Sequence, residues 1–325
     1  MKVLVAGGAG YIGSVLTETC LKAGHDVVVY DNLSTGHRQS VHPDARLVVG
    51  DVGDRGLVLQ TLRQSGSEAV VHMAGFIEAG ESMTDPGKYF RNNACRPLEL
   101  LDAMASAGVG KILFSSTAAI YGNPESDYLS EEHPQRPANC YGQSKLFFEQ
   151  MLDWYDAIYN VKHVALRYFN AAGASPERGE DHNPESHLIP LILQAAMGQR
   201  QYVEIYGCDY PTPDGTCIRD YIHVLDLVQA HLLALASLKD ESLHYNLGNG
   251  RGYSVREVIE TARRVTGSDF ETRESGRRTG DPARLVASSD KISAELGWRP
   301  KHPDLEDIIT SAWQWRRSHP GGYKS

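Results

Sequence analysis

Tyr141 and Lys145 have the spacing of an acid–base pair, because residues four apart share one face of a helix. Tyr141 is the only one of sixteen tyrosines followed by lysine at that distance, and Ser116-Thr117 lies about two dozen residues upstream. A phenol titrates near ~10 and becomes a useful base at neutral pH only if its pKa falls to about 7. A lysine ammonium at about 4 Å supplies about 4 kcal/mol at an effective dielectric of about 20, which is sufficient. Thr117, Tyr141 and Lys145 are therefore a candidate hydride-transfer site, the alternative being an ordinary surface helix.

A glycine-rich turn follows the first predicted strand. Gly7, Gly10 and Gly13 form a G-x-x-G-x-x-G pattern between that strand and an apolar helix. Glycines there let the backbone approach a pyrophosphate, whose charge then rests on the amides at the start of the helix. Asp31 ends the second predicted strand, where a carboxylate can bind a ribose 2′-hydroxyl and repel a 2′-phosphate. The pattern predicts a dinucleotide site that favours NAD, and Arg38 nearby leaves NADP open.

The elements that must position these residues alternate between strand and helix up to about residue 170. Strand-like apolar runs, separated by helix-length segments, occur at residues 2–6, 27–31, 47–49, 69–72, 111–114 and 163–166. This alternation predicts an α/β fold with a Rossmann-type doubly wound parallel sheet.

A polar stretch at residues 174–186 predicts a surface loop and a boundary between two lobes. We therefore expect an NAD-binding Rossmann domain over residues 1–170, onto which residues 218–240 pack back. Residues 171–325 should form a smaller, mixed α/β lobe that binds the substrate.

Length and charge limit the classes of function. A chain of 325 residues exceeds one typical core, and a formal net charge of −9 argues against binding nucleic acid or an anionic membrane. No run approaches eighteen apolar residues and no charged-then-apolar leader opens the chain, so we expect a cytoplasmic protein without membrane association. Five scattered cysteines lack a C-x-x-C pair and thirteen histidines lack an H-E-x-x-H arrangement, so neither a disulfide framework nor a metal site is expected.

A dozen short motifs in order carry a family resemblance. Beyond the glycine turn and the tyrosine–lysine pair, they include residues 72–75, 80–82, 114–122, 167–170, 219–224 and 278–281. Through these the chain resembles the UDP-glucose 4-epimerases, members of the extended short-chain dehydrogenase/reductase family, over essentially its whole length. The resemblance implies bound NAD, a UDP-sugar substrate and a homodimer packed through helices near residues 92–107 and 146–159.

The implied reaction interconverts UDP-glucose and UDP-galactose through a transient 4-keto sugar. The C4 hydrogen of a hexose is not acidic, so inversion must proceed by removing a hydride, which NAD would accept and return to the other face. Tyr141 would take the hydroxyl proton, assisted by Lys145 and Thr117. The implied cofactor contacts, besides Gly7, Gly10 and Gly13, are Tyr11, Ile12, Asp31, Asn32, Thr35, Gly36, Asp51, Val52, Met73, Ala74, Gly75, Asn92, Tyr141, Lys145 and Phe169. The implied substrate contacts are Thr117, Tyr141, Asn170, His187, Glu204, Ile205, Tyr206, Arg219, Arg278, Asp281 and Leu285.

Several departures from the family pattern define the alternatives. Ile77 stands where some members carry a lysine that contacts NAD, and His187 stands where some carry asparagine. At Leu285, a tyrosine in the family leaves no room for an N-acetyl group near C2, so leucine predicts that the N-acetylated pair of UDP-hexoses is also accepted. Related dehydratases and decarboxylases carry an acid directly after the hydroxyl, where this chain has Ala118-Ala119, and are less favoured. A 4-epimerase for UDP-pentoses or UDP-uronates stays open, and an inactive dinucleotide-sensing module is less favoured.

Overall fold

The computed structural model describes residues 1–278 and 280–323, and its secondary structure alternates as the sequence predicts. The strands are β1 (Lys2–Ala6), β2 (Asp26–Asp31), β3 (Arg46–Val49), β4 (Ala69–His72), β5 (Lys111–Thr117), β6 (Lys162–Tyr168), β7 (Asn170–Ala172), β8 (Tyr202–Tyr206), β9 (Ile218–His223), β10 (Leu243–Leu247), β11 (Gly252–Ser254), β12 (Glu271–Ser275) and β13 (Arg284–Leu285). The helices are α1 (Tyr11–Lys22), α2 (Arg55–Ser65), α3 (Ala79–Ser82), α4 (Pro86–Phe90), α5 (Arg96–Ala107), α6 (Cys140–Tyr159), α7 (Leu188–Ala196), α8 (Val224–Ser237), α9 (Val255–Thr266), α10 (Asp290–Leu296) and α11 (Leu305–Ser318). None of these helices has both the length and the apolarity to cross a membrane.

Within the described residues, seven strands form one parallel sheet in the order β10-β6-β5-β4-β1-β2-β3. The chain begins in the middle of this sheet and builds outward first through β2 and β3, then in the other direction through β4, β5 and β6. The direction of winding reverses beside β1, so the carboxyl ends of β1 and β4 border a crevice in which ligands bind in folds of this type. This topology confirms the predicted Rossmann-type doubly wound sheet.

Apolar side chains cover both faces of the large sheet. On one face, Leu16 of α1 and Leu227 of α8 belong to the same buried cluster as Val5 and Leu166 of the sheet. On the other face, Leu100 of α5 and Phe148 of α6 pack with residues of α2. Parallel strands are buried on both faces, which explains why their sequences are continuous apolar runs rather than alternating patterns.

The second half of the chain divides between the two lobes. β7, β9, β11 and β13 form a small sheet, β8 pairs with β12, and side chains of α7, α9 and α11 form a separate core around Ile192, Val258 and Ile308. The chain also returns to the first lobe, where α8 packs against α1 and β10 adds an edge strand beside β6. Ile292 of α10 and Trp298 also belong to the buried cluster that α1 and α8 form on the large sheet.

Candidate active site

The turn after β1 is shaped by its glycines. Gly7 has a φ of 86°, and a Cβ on it would lie 2.5 Å from the amide nitrogen of Ala74. A Cβ on Gly13 would lie 2.1 Å from the carbonyl oxygen of Gly7, so neither position accepts a side chain. A Cβ on Gly10 would meet only that same oxygen, at 3.4 Å. The first turn of α1 therefore opens onto free space, and a helix N-terminus of this kind suits a pyrophosphate.

Asp31 lies beside this turn at the end of β2 and is buried. Its carboxylate accepts hydrogen bonds from the amides of Ala9, at 2.9 Å, and Leu33, at 2.8 Å. Burial raises the pKa of Asp31, while these two hydrogen bonds act in the opposite direction. Because each carboxylate oxygen has a second lone pair, Asp31 can still accept a hydrogen bond from a ribose hydroxyl. It thus also holds the glycine turn in place, a role that the sequence did not reveal.

A cleft of about 750 Å³ runs along the carboxyl edge of the large sheet. Its volume lies within the range of small-molecule sites. The structure brings every predicted cofactor contact to its walls, together with Thr117, Asn170 and His187. The remaining predicted substrate contacts are not among its lining residues.

The predicted catalytic trio meets at this cleft because β5 ends where α6 begins. Thr117 is the last residue of β5, while Tyr141 and Lys145 lie on the first turns of α6. The Asn139 side chain caps this helix by accepting a backbone hydrogen bond of 2.8 Å. Lys145 is buried, and its Nζ donates a hydrogen bond of 2.9 Å to the carbonyl oxygen of Ser115. The trio is therefore held by the ends of two regular elements.

The electrostatics of the trio differ from the expectation. Burial raises the pKa of Tyr141, a hydrogen bond with Thr117 opposes this, and Glu78 adds to the rise. Burial also lowers the pKa of Lys145 to about 8, against the effect of Glu149. The hydrogen-bond partner of the Lys145 ammonium is the Ser115 carbonyl oxygen rather than the Tyr141 hydroxyl. Tyr141 can act as a base near neutral pH only if further positive charge enters the cleft, because such a charge lowers the pKa of the phenol.

Glu149 forms a buried network behind the trio that sequence reasoning missed. Its carboxylate accepts hydrogen bonds from Ser116 Oγ and from Arg167, whose Nε and Nη2 lie 3.2 and 2.8 Å away. The two charged side chains are each 2% exposed. Arg167 also donates to the hydroxyl of Tyr121 at 2.9 Å. The available signal was a carboxylate four residues after Lys145, on the helix face that already carried the predicted pair.

Charged residues predicted to bind the substrate lie together in the small lobe. Arg219 and Asp281 form an ion pair at 2.5 Å, and the guanidinium of Arg278 lies 4.0 Å from the ring centroid of Tyr206. Tyr206 in turn donates a hydrogen bond to Glu204 two residues earlier on β8. A phosphate that binds Arg219 must therefore compete with the carboxylate of Asp281.

Leu285 is not among the residues that line the cleft. It pairs in register with Arg219 on β9 and packs, together with Phe169, against a buried apolar cluster. Phe169 itself lines the cleft, so the cluster against which Leu285 packs also supports a wall of the cleft. Ile205 is buried in the core of the small lobe. Thr279, within the motif at residues 278–281, lies outside the described residues.

Known proteins with related sequences share this arrangement of elements. Residues 3–248 match the model of the NAD dependent epimerase/dehydratase family. The chain belongs to this family. Among members of the NAD dependent epimerase/dehydratase family, a UDP-glucose 4-epimerase of Lacticaseibacillus casei is 49% identical over 327 residues, which cover 99% of each chain. The family resemblance that the sequence motifs indicated is thereby confirmed.

Two solved structures extend this likeness to three dimensions. A UDP-glucose 4-epimerase of Brucella ovis in complex with NAD is 45% identical, with a TM-score of 0.93 over 96% of this chain and 97% of that one. A UDP-glucose 4-epimerase of Bifidobacterium longum in complex with NAD+ and UDP is 37% identical, with a TM-score of 0.95 over 99% and 100%. The whole chain, including the small lobe, therefore has the fold of these epimerases.

Proposed function

We propose that the protein is an NAD-dependent epimerase that interconverts UDP-glucose and UDP-galactose at C4 of the hexose. The observation that carries this proposal is the meeting of Thr117, Tyr141 and Lys145 in the same cleft as the glycine turn. The full-length likeness to UDP-glucose 4-epimerases favours this reaction over that of a UDP-pentose or UDP-uronate epimerase. Ala118, which is buried directly after Thr117, offers no acid for a dehydratase or decarboxylase.

The cleft fits NAD. The open space before the first turn of α1 can hold a pyrophosphate, and the carboxylate of Asp31 suits a ribose hydroxyl while repelling a 2′-phosphate. NAD, when bound, accepts and returns one hydride and brings the positive charge of its oxidised ring. All other chemistry falls to side chains of the protein.

Tyr141 accepts the proton of the C4 hydroxyl and later returns it. Thr117, whose hydroxyl opposes the rise in the pKa of Tyr141, stabilises the phenolate by donating a hydrogen bond to it. Lys145 has a pKa of about 8 and stays mainly protonated at neutral pH, so it contributes a positive charge one helical turn away. The hydrogen bond from Lys145 to the Ser115 carbonyl holds that charge in place.

UDP is held by the small lobe, so that the hexose can present either face. Arg219 and Arg278 bind the diphosphate, for which the fork of a guanidinium is suited. Asn170 and His187 line the same cleft as the catalytic trio. Residues 204–206 border the uracil. Arg219 releases the carboxylate of Asp281 and binds the incoming phosphate in its place.

Replacement of Tyr141 by phenylalanine tests the proposal. Tyr141→Phe should lower the turnover of UDP-galactose to UDP-glucose by at least ~10²-fold, the scale of losing a general base, with UDP affinity retained. Tyr128→Phe, at an exposed tyrosine outside the helices assigned to the dimer, is the matched control and should behave as the wild type. Near-normal turnover of Tyr141→Phe would reject this assignment.

We also infer that the active protein is a homodimer. Phe147, Trp154 and Ile158 are exposed apolar side chains along one face of α6, within the region that the family resemblance assigns to the dimer. An apolar stripe of this kind favours burial against a second copy. Light scattering should give twice the chain mass of 35.8 kDa, and a single mass would contradict the inference.

A further inference from the structure

Four side chains of a single loop converge on one wall of the cleft. Glu180, His182, Glu185 and His187 follow one another as E-x-H-x-x-E-x-H directly before α7. One ligand-capable atom from each lies within 4.8 Å of all the others. The expectation of no metal site rested on standard cysteine and histidine spacings, and this spacing is not one of them.

Three of the four separations between these atoms are close to those of ligands around one ion. Glu180 Oε1 lies 2.6 Å from Nδ1 of His187 and 3.2 Å from Nδ1 of His182. The Glu185 carboxylate lies 3.4 Å from Nδ1 of His187 and 3.8 Å from Nδ1 of His182. In a tetrahedral zinc site with bonds of about 2.0–2.2 Å, ligand atoms are roughly 3.3–3.6 Å apart. The four measured nitrogen–oxygen distances, from 2.6 to 3.8 Å, span this range.

The charges of the cluster also favour a bound cation. The side chains of Glu180 and Glu185 are only 8% and 6% exposed, and within the described part of the chain their ion-pair partners are these two histidines. Two buried carboxylates are balanced by either two imidazolium groups or one divalent ion. The Nδ1 atoms of His182 and His187 are buried and make no hydrogen bond of acceptable geometry. Nitrogen atoms that face carboxylates without bonding to them suit a shared ion better than two hydrogen-bonded imidazoliums.

We propose that Glu180, His182, Glu185 and His187 bind one divalent transition-metal ion. Two imidazole nitrogens and two carboxylate oxygens are a donor set that Zn²⁺ accepts, and four protein ligands leave no open position, so the ion is structural. It ties together the loop that forms this wall of the cleft.

The ion would also set the chemistry of His187. With Nδ1 bound to the metal, Nε2 carries the ring proton and acts as a hydrogen-bond donor. The His187 side chain is 40% exposed and lines the cleft, so this donor can face a ligand. This donor role rests on the proposed epimerase activity, whereas the ion site does not.

Metal titration of the full-length protein tests the site. Protein treated with a chelator should bind one Zn²⁺ per chain in competition with a chromophoric chelator, and Co²⁺ should give the visible absorption of a tetrahedral site. Loss of a residue that only supports a metal ligand commonly lowers metal affinity 10–100-fold. His182→Gln and Glu185→Gln each remove a direct ligand, so each should lower the affinity for Zn²⁺ at least ~100-fold. Circular dichroism and UDP binding establish that each variant is folded.

His163→Gln provides the matched control, because Asp153, His163 and His244 form a second group of potential ligands far from this loop in sequence. Its affinity for Zn²⁺ should equal that of the wild type. The proposal is overturned if the wild type binds no Zn²⁺ stoichiometrically, or if binding survives in Glu185→Gln and is lost in His163→Gln. The wild-type titration decides the matter even if a ligand variant does not fold. Since neither readout depends on turnover, failure here and failure of the epimerase proposal are separate results.

Discussion

Glu149→Gln should weaken the fold and the catalytic site together. The substitution keeps the shape of the side chain but removes its charge from a pair in which both partners are 2% exposed. Arg167, whose Nε and Nη2 lie 3.2 and 2.8 Å from the carboxylate, would remain as a buried cation facing a neutral amide. Breaking a buried pair from one side costs about 3–5 kcal/mol. Since glutamine keeps one acceptor oxygen, we expect a loss of about 3 kcal/mol in the free energy of unfolding.

The same substitution should reach the catalytic trio through Lys145. Glu149 raises the pKa of Lys145, which burial has lowered to about 8. Without the negative charge this pKa falls further, so the ammonium loses its proton at a lower pH. If the protonated form supports turnover, activity will decline at a lower pH on the alkaline side than in the wild type. If the amide nitrogen of the glutamine takes the place of Oε1, Ser116 also loses its hydrogen-bond acceptor beside Thr117, which lowers the maximal rate.

Urea unfolding and a pH profile of turnover provide the measurement. Asp153→Asn, an exposed substitution one turn further along α6, should stay within about 0.5 kcal/mol of the wild type. The double variant Glu149→Leu with Arg167→Met should be less destabilised than Glu149→Gln, because it leaves no buried charge behind. If Glu149→Gln lowers the free energy of unfolding by less than ~1 kcal/mol and leaves the pH profile unchanged, Glu149 neither stabilises the fold nor supports the charge of Lys145 as argued.

Three further predictions concern the cofactor, the sugar and pH. Because Asp31 repels a 2′-phosphate, chromatography of the nucleotide released on denaturation should give NAD(H), and NADP(H) would contradict the role of Asp31. The wild type should also interconvert UDP-N-acetylglucosamine and UDP-N-acetylgalactosamine, and Leu285→Tyr should abolish this activity while sparing the unsubstituted pair; equal loss of both would remove Leu285 as a determinant. Burial lowers the pKa of His231 to about 4, below the value of ~6.5 in an unfolded chain, so the unfolded state binds more protons between these values. The contribution of this group should therefore lower the free energy of unfolding by about 2 kcal/mol between pH 7 and pH 5. In urea unfolding, the difference in stability between the two pH values should be about 2 kcal/mol smaller for His231→Gln than for the wild type.

The sequence by itself determined the class of fold and the walls of the cleft. Apolar runs, the glycine pattern and the four-residue spacing of Tyr141 and Lys145 act over a few residues, so they can be interpreted without knowing the partners. Each predicted cofactor contact lines the cleft because the strand ends of a doubly wound sheet meet at one edge. Steric limits on Gly7 and Gly13 are similarly local, although the atoms that impose them become visible only in the fold.

Only the tertiary structure decided which charges meet. Glu149 and Arg167 are 18 residues apart in sequence, and Arg219 and Asp281 are 62 apart, with no pattern that pairs them. The pKa of Lys145 is lowered by burial, which its sequence spacing from Tyr141 and Glu149 does not reveal. Burial strengthens electrostatic interactions by removing water, and burial is set by the packing of the whole chain. The residues that line the cleft beside the glycine turn were therefore predictable from the sequence, whereas the charge states of the buried groups were decided by the fold.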